Sequence, residues 1–85
     1  MRKIIPILEQ QLMQLLVTEA EVRFVFRKQD GTERRARGTC NLRYIPFDKH
    51  LKRELPITTA IRFFDLDENA WRSFEIGSLL RVSLP

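Results

Sequence analysis

Arginine offers the clearest chemistry in this sequence, and it is concentrated between residues 23 and 43. That stretch carries seven Arg or Lys residues and two acids, whereas the whole chain has a net charge of +4. Arg23 and Arg27 fall on one face of a predicted strand, and Arg35 and Arg37 on one face of the next. Because guanidinium groups grip phosphates in a forked geometry and stack on bases, this patch is typical of nucleic-acid binding.

Two aromatic residues and one further arginine extend this candidate site. Proteins that bind single strands combine a basic groove with aromatic side chains on which bases stack. Tyr44 and Trp71 are the aromatic residues that a core needs least, and Arg72 follows Trp71 directly. The predicted nucleic-acid or ligand site comprises Arg23, Arg27, Arg35, Arg37, Tyr44, Trp71 and Arg72. The alternative is a solvated basic face that serves solubility alone.

The residues that usually support catalysis or metal binding are few. His50 is the only histidine, and its basic neighbourhood predicts an exposed, solvated side chain. Cys40 has no base beside it and is predicted to be a small core residue. Asp65, Asp67 and Glu68 match no calcium loop, so a solvated turn is the preferred interpretation. We therefore predict no catalytic residue, no metal site, no cofactor and no enzyme activity.

Length and composition indicate one small globular domain. The chain has 85 residues, of which 44% are hydrophobic and 31% are charged, an ordinary balance for a folded protein. Its single cysteine cannot form an internal disulfide. Its apolar runs are shorter than the roughly 20 residues of a membrane span. We predict a cytoplasmic protein without a membrane segment, with a helix in residues 1–20 and a β-barrel in residues 21–85.

A single helix is predicted from Ile7 to Val17. Pro6 suits its first turn, where the missing N–H is not needed. Apolar residues at helical spacing form one stripe along it, namely Ile5, Leu8, Leu12, Leu15 and Leu16. We interpret this stripe as a cover for the sheet. The alternative is a surface for a partner or for homo-oligomerisation.

A β-hairpin is predicted after the helix. Apolar and arginine-rich positions alternate through residues 22–27, which indicates a half-buried strand. Asp30-Gly31 predicts a type I′ turn, which requires positive φ at both central residues. The return strand is predicted from residue 33 to about residue 42, with Leu42 among its core-facing even positions. Gly38 on the same face permits a close approach by another strand.

A long connection, residues 41–58, precedes strands predicted at residues 60–66, 71–76 and 80–84. Alternation in the strand at 71–76 places Trp71 on a partly exposed face and directs Arg72 toward the core side, where Asp65 could pair with it. Five short strands, tight turns and one helix predict a mainly β fold, a small five-stranded antiparallel barrel of SH3-like type. An OB-like barrel is the alternative.

Several short motifs, taken in order, resemble one protein family. They are Asp30-Gly31-Thr32, Gly38-Thr39-Cys40, Tyr44-Ile45-Pro46, Phe63-Phe64-Asp65-Leu66, Trp71-Arg72-Ser73-Phe74 and Ser78-Leu79-Leu80-Arg81-Val82. Over residues 12–84 the chain resembles small bacterial and phage proteins without an assigned function, described as WYL-like with an Sm-like SH3 β-barrel fold. The resemblance implies this Sm-like barrel for the present chain.

The C-terminal stretch is also similar to the core of WYL domains, in which an aromatic strand precedes an Arg-x-Phe strand. Arg72 and Phe74 match that pair, whereas Arg62-Phe63-Phe64 stands where the Trp-Tyr-Leu triplet is expected. This similarity implies a ligand-sensing barrel that binds nucleotides or single-stranded nucleic acid. Residues 1–20 have room for one helix, so the helix-turn-helix of WYL regulators is not expected within them.

Two functions remain open from the sequence. The first is a non-catalytic binding or regulatory module for single-stranded nucleic acid or a nucleotide ligand. The second is a protein-interaction or self-associating accessory protein of phage or mobile-element type. The second explains the leucine-rich helix better and the arginines less well.

Overall fold

The computed structural model describes residues 5–51 and 59–83 of the chain. One helix and five strands occur in the order α1 (Ile7–Thr18), β1 (Val22–Arg27), β2 (Glu33–Thr39), β3 (Ala60–Asp65), β4 (Ala70–Glu75) and β5 (Leu79–Ser83). The strands form one antiparallel sheet in the order β4-β3-β2-β1-β5. The predicted mainly β fold with one N-terminal helix and five antiparallel strands is confirmed.

The helix α1 covers the sheet, as predicted, but its buried stripe differs by one position. Leu12 and Leu16 lie in the core at 0% and 1% exposure. Leu8, predicted on this stripe, is 39% exposed, and Glu9 is buried instead. Pro6 lies at the N-cap, just before the first turn rather than within it. Along the described chain, no helix is long and apolar enough to cross a membrane.

The core between α1 and the inner face of the sheet is built on four phenylalanines. The rings of Phe24, Phe26, Phe63 and Phe74 pack together with centroids 5.0–6.3 Å apart. Aromatic pairs at these distances add stabilisation beyond the apolar area that they bury. Alternation predicted the inward positions in β1 and β4, because side chains on one strand face point the same way.

The β1–β2 turn contains the Asp-Gly pair but is not the predicted type I′ turn. Gly31 has a φ of +90°, whereas Asp30 does not have a positive φ. The N–H of Gly31 donates to the carbonyl of Lys28 at 2.9 Å. The Asp30 carboxylate accepts from the backbone N–H and the hydroxyl of Thr32 at 3.0 and 2.6 Å. A three-residue turn needs glycine only at its last position, and the aspartate side chain closes it.

β2 is shorter than predicted. It ends at Thr39, and Leu42 begins a 3-10 turn where it is 54% exposed, so the prediction that Leu42 faces the core is wrong. A Cβ atom on Gly38 would lie 2.6 Å from Cδ2 of Phe63 and 2.9 Å from the carbonyl oxygen of Phe64. The prediction that Gly38 permits a close approach is therefore confirmed, at the place where β2 pairs with β3.

The connection after β2 contains two 3-10 turns, Leu42–Tyr44 and Phe47–Lys49. Its remaining part, residues 52–58, lies outside the described residues, as does Leu84 at the end of the predicted last strand. The described boundaries of β3, β4 and β5 differ from the predicted ones by at most one residue. The described part of the connection therefore has local structure of its own.

Candidate nucleic-acid interface on the outer face of the sheet

The outer face of β5, β1 and β2 carries a cluster of arginines. In the sheet register Arg23 lies opposite Arg37, and Val25 lies between Arg35 and Arg81. Since side chains alternate along a strand, these residues point away from the phenylalanine core. They border a groove of about 730 Å³, the arginine groove. It is lined by Arg23, Phe24, Val25, Arg35, Ala36, Arg37, Asp67, Arg81 and Ser83.

Two carboxylates already pair with arginines in this groove. Glu21 lies between Arg23 and Arg37, with N–O distances of 3.0 and 2.7 Å. Asp67 contacts Arg37 at 3.0 Å. Hydrogen bonds donated by Arg37, and to a smaller extent by Arg23, lower the pKa of Glu21 below its usual value. The hydrogen bonds that Arg37 donates to Glu21 and then to Asp67 raise the pKa of Arg37.

Arg35 and Arg81 are the more available cations of the groove. The Arg35 side chain is exposed and makes no ion pair or hydrogen bond with the residues that the structure describes. Arg81 pairs with Glu33 at 3.3 Å, and both side chains are 55% exposed. An ion pair this exposed contributes little stability. Arg81 can therefore exchange its carboxylate partner for another anion.

The structure brings together three of the seven predicted site residues, namely Arg23, Arg35 and Arg37. Arg27 lies on the same face of β1 but does not line the groove. Arg81 lines the groove and is missing from the prediction, because its place depends on the pairing of β5 with β1. Alternation around Arg81 signals an outward side chain but does not show which strand lies beside it.

The predicted aromatic residues lie outside the groove lining. Tyr44 ends the first 3-10 turn and is 49% exposed. Trp71 is half-buried on the outer face of β4, as its strand alternation predicts. Its indole N–H donates to the carbonyl of Lys49 at 2.7 Å, and its ring packs edge-on against Phe64 with centroids 5.6 Å apart. Trp71 thus pins the connection to the sheet.

Asp65 pairs with Arg34, and the predicted ion pair between Asp65 and Arg72 is wrong. Asp65 is 1% exposed, and its Oδ2 accepts a hydrogen bond from the Arg34 guanidinium. Its Oδ1 accepts from the backbone N–H groups of Asp67 and Glu68 at 3.0 and 3.1 Å. Arg72 is exposed. The acidic turn is therefore not wholly solvated, because the buried Asp65 carboxylate accepts hydrogen bonds from the backbone of the turn.

His50 is held by the connection, so the prediction of a solvated histidine is wrong. Its Nε2 lies 3.0 Å from the carbonyl oxygen of Leu42 and 2.9 Å from that of Ile45. Because both partners are acceptors, Nε2 carries a proton and donates to them. Within residues 5–51 and 59–83, no three His, Cys, Asp or Glu side chains are grouped to hold a metal ion.

Cys40 is half-buried, and its thiol donates to the carbonyl of Arg62 at 3.3 Å. Burial raises the pKa of the thiol to about 11. We expect iodoacetamide at about pH 8 to alkylate the folded protein far more slowly than protein unfolded in urea, as followed by mass spectrometry. Equal rates would contradict this burial.

The raised pKa of Cys40 also sets a pH dependence. The folded state favours the neutral thiol, so its contribution to stability is fully present below the usual pKa of 9.0. The contribution is lost as the pH rises from 9.0 to about 11. Urea unfolding across this pH range, compared with that of Cys40→Ala, measures the effect.

A buried carboxylate that the sequence patterns did not predict holds the β4–β5 turn. Glu9 is 2% exposed. It accepts hydrogen bonds from the N–H of Gly77 at 2.7 and 3.0 Å and from that of Leu79 at 3.3 Å. Gly77 has a φ of +96°, which glycine adopts without steric cost. Glu9 thus ties the helix to the turn.

A helix packed over five antiparallel strands of one sheet places this protein among the small β-barrel modules of SH3-like type. The chain belongs to the family described as WYL_2, Sm-like SH3 beta-barrel fold, whose model matches residues 9–80. The resemblance seen in the sequence is thereby confirmed. Comparison with curated proteins and with solved structures gave no match. Family membership supports a small binding or regulatory module and leaves its ligand to be inferred from the groove.

Proposed function

We propose that this protein binds the phosphates of single-stranded nucleic acid, or of a nucleotide ligand, in the arginine groove. The observation that carries the proposal is the placement of four arginines around Val25 on three adjacent strands, namely Arg23, Arg35, Arg37 and Arg81. Guanidinium groups bind phosphate oxygens through paired, charge-assisted hydrogen bonds. A small barrel of this family fits such a binding module.

The charges around the groove favour an anionic ligand. Five arginines share the outer face of β1, β2 and β5, namely Arg23, Arg27, Arg35, Arg37 and Arg81. Three carboxylates pair with members of this set, namely Glu21, Glu33 and Asp67. The arginines are therefore in excess. A concave surface dominated by one sign of charge raises the local concentration of an oppositely charged ligand.

Fluorescence anisotropy with a labelled single-stranded oligonucleotide tests the proposal. We expect binding at low salt that weakens steeply as salt rises, because each phosphate contact releases counterions. Arg35→Glu should weaken binding by about tenfold, since it removes the most available cation and adds a negative charge to the groove. Arg35 makes no ion pair with the described residues, so its replacement breaks none there.

Arg43→Glu provides the matched control for this experiment. It makes the same charge change at an exposed arginine in the first 3-10 turn, outside the groove lining. We expect it to weaken binding by less than about threefold, through net charge alone. Thermal melts followed by circular dichroism check that both variants fold. Equal losses in the two variants, or no wild-type binding at low salt, would show that the groove is not the site.

A second candidate function is protein interaction or self-association. Ile7 and Val17 of α1 are 72% and 61% exposed, and Phe47 in the second 3-10 turn is 88% exposed. Exposed apolar side chains such as these can contribute to a surface that contacts a partner. A self-association surface on α1 would use Ile7 and Val17, because Leu12 and Leu16 of the stripe lie in the core. This function suits an accessory protein of phage or mobile-element type, and a failure of oligonucleotide binding would favour it.

We further propose that the chain is one non-catalytic domain that works in the cytoplasm of a bacterium. Support for one domain comes from the core that α1 shares with the strands. Support for a non-catalytic role comes from the groups that could do chemistry. The raised pKa of Cys40 keeps its thiol protonated at neutral pH, and the Nε2 of His50 is held by two carbonyl groups.

A further inference from the structure

Glu21 pairs with two of the arginines that line the arginine groove. We propose that Glu21 occupies the position of a phosphate between Arg23 and Arg37, so that a ligand must displace it. This inference rests on the proposed phosphate-binding function. One Glu21 oxygen lies 3.0 Å from Nε of Arg23, and the other lies 2.7 Å from Nη1 of Arg37. Carboxylates and phosphates accept hydrogen bonds from guanidinium groups in the same geometry, so Glu21 already makes the contacts that a ligand would make.

The backbone explains why Glu21 reaches both arginines. Arg23 and Arg37 are direct partners in the β1–β2 register, where two like charges repel each other. Glu21 lies just before β1, two residues ahead of Arg23, and is bonded to both guanidinium groups. Its carboxylate relieves the repulsion when no ligand is bound. The same contact then opposes any anion that approaches the two arginines.

A ligand can exchange with the Glu21 carboxylate because neither Glu21 nor its two arginine partners are buried. The side chains of Arg23, Arg37 and Glu21 are 69%, 36% and 35% exposed. Asp67, the second carboxylate on Arg37, is 62% exposed. Exposed ion pairs contribute little free energy, so a phosphate can replace these carboxylates at a small cost. Arg35 has no such competitor among the described residues, so it is the first cation that a ligand meets.

The two carboxylates on Arg37 also favour one kind of phosphate. An internal phosphodiester carries a single negative charge, whereas a terminal phosphate carries about −1.5 to −2 at pH 7. A terminal phosphate therefore replaces the charge of Glu21 and Asp67 together, and a phosphodiester replaces only one of them. The groove is thus expected to favour the terminal phosphate of a nucleotide or of a strand end over phosphates within a strand.

Two single-stranded oligonucleotides of one sequence, one with a 5′-phosphate and one with a 5′-hydroxyl, test this inference on the full chain. We expect the wild-type protein to bind the phosphorylated strand about two- to fivefold more tightly. Glu21→Gln should tighten binding of the hydroxyl strand by about two- to fivefold and so reduce the difference. For Glu21→Gln, the slope of the logarithm of the binding constant against the logarithm of the salt concentration should become steeper by about one, because further guanidinium groups become free for phosphates.

Glu19→Gln is the matched control. Glu19 lies two residues before Glu21, and its carboxylate forms no ion pair with the described residues, so the substitution removes the same charge without breaking a contact to an arginine there. Asp67→Asn is a second test variant and should act in the same direction as Glu21→Gln. If wild type binds but Glu21→Gln and Asp67→Asn bind no more tightly than Glu19→Gln, the competitor role is wrong and the groove remains the site. If no variant binds either strand at low salt, the proposed function and the competitor role both fail.

Discussion

Glu9→Ala is expected to lower the free energy of unfolding by about 3 kcal/mol. The substitution removes the acceptor for the N–H groups of Gly77 and Leu79 at the β4–β5 turn. An orphaned buried N–H costs about 1–3 kcal/mol, because it loses both its partner and its hydration. A domain of 85 residues has a total stability of about 4–13 kcal/mol. The expected loss is therefore a large fraction of the total, and urea unfolding followed by circular dichroism measures it.

Gln11→Ala serves as the control for this substitution. Gln11 is an exposed residue of the same helix, so its truncation changes stability by less than about 0.5 kcal/mol. Glu9→Gln keeps one acceptor oxygen and should fall between the two variants. If Glu9→Ala were no less stable than Gln11→Ala, the carboxylate would not be what holds the turn.

The burial of Glu9 also shows which part of the fold the sequence pattern does not predict. The positions of Leu12 and Leu16 were predicted because apolar residues at helical spacing must share a buried face. That rule favours Leu8 over Glu9 for the next buried position toward the N-terminus, and the structure shows the opposite. The carboxylate is buried because the turn at Gly77 offers it N–H donors from a segment 68 residues away. No local pattern encodes that contact.

The arginine groove was predictable in part for a similar reason. Period-two alternation and one Asp-Gly turn suffice to place Arg23, Arg35 and Arg37 on the outer face of a hairpin. Arg81 joins them only because β5 pairs with β1, which is a long-range event. Glu21 precedes the first strand, and its role depends on the side-chain geometry of both arginines. This side-chain geometry depends on the pairing of the strands, so a local sequence pattern does not predict it.

The connection of residues 41–51 was the least predictable part, because its contacts are to backbone carbonyl groups. His50 donates to carbonyls within the connection, and Trp71 donates to the carbonyl of Lys49. A basic neighbourhood suggested a solvated histidine, but every residue has a carbonyl, so sequence composition does not show where such acceptors lie. Alternation did place Trp71 on the outer face, although its partner there was not foreseen.

A second large loss of stability is expected when the buried part of the leucine stripe of α1 is truncated. Leu12→Ala should lower the free energy of unfolding by about 3–4 kcal/mol, because Leu12 is 0% exposed and belongs to the main core cluster. The cost has two parts, the lost transfer of the side chain out of water and the cavity that remains beside the phenylalanine rings. Urea unfolding measures the loss, and light scattering before unfolding measures the mass of the folded protein.

The same experiment separates a core helix from an interface helix. Ile7→Ala truncates a side chain of α1 that is 72% exposed, so it should change stability by less than about 0.5 kcal/mol. If the stripe is core, Leu12→Ala lowers stability at every protein concentration and leaves the mass unchanged. If the stripe were an interface, Leu12→Ala would instead lower the mass of an oligomer and make stability depend on concentration. That second result would contradict the packing of Leu12 and Leu16 against the sheet, since one stripe cannot fill the core and face a partner.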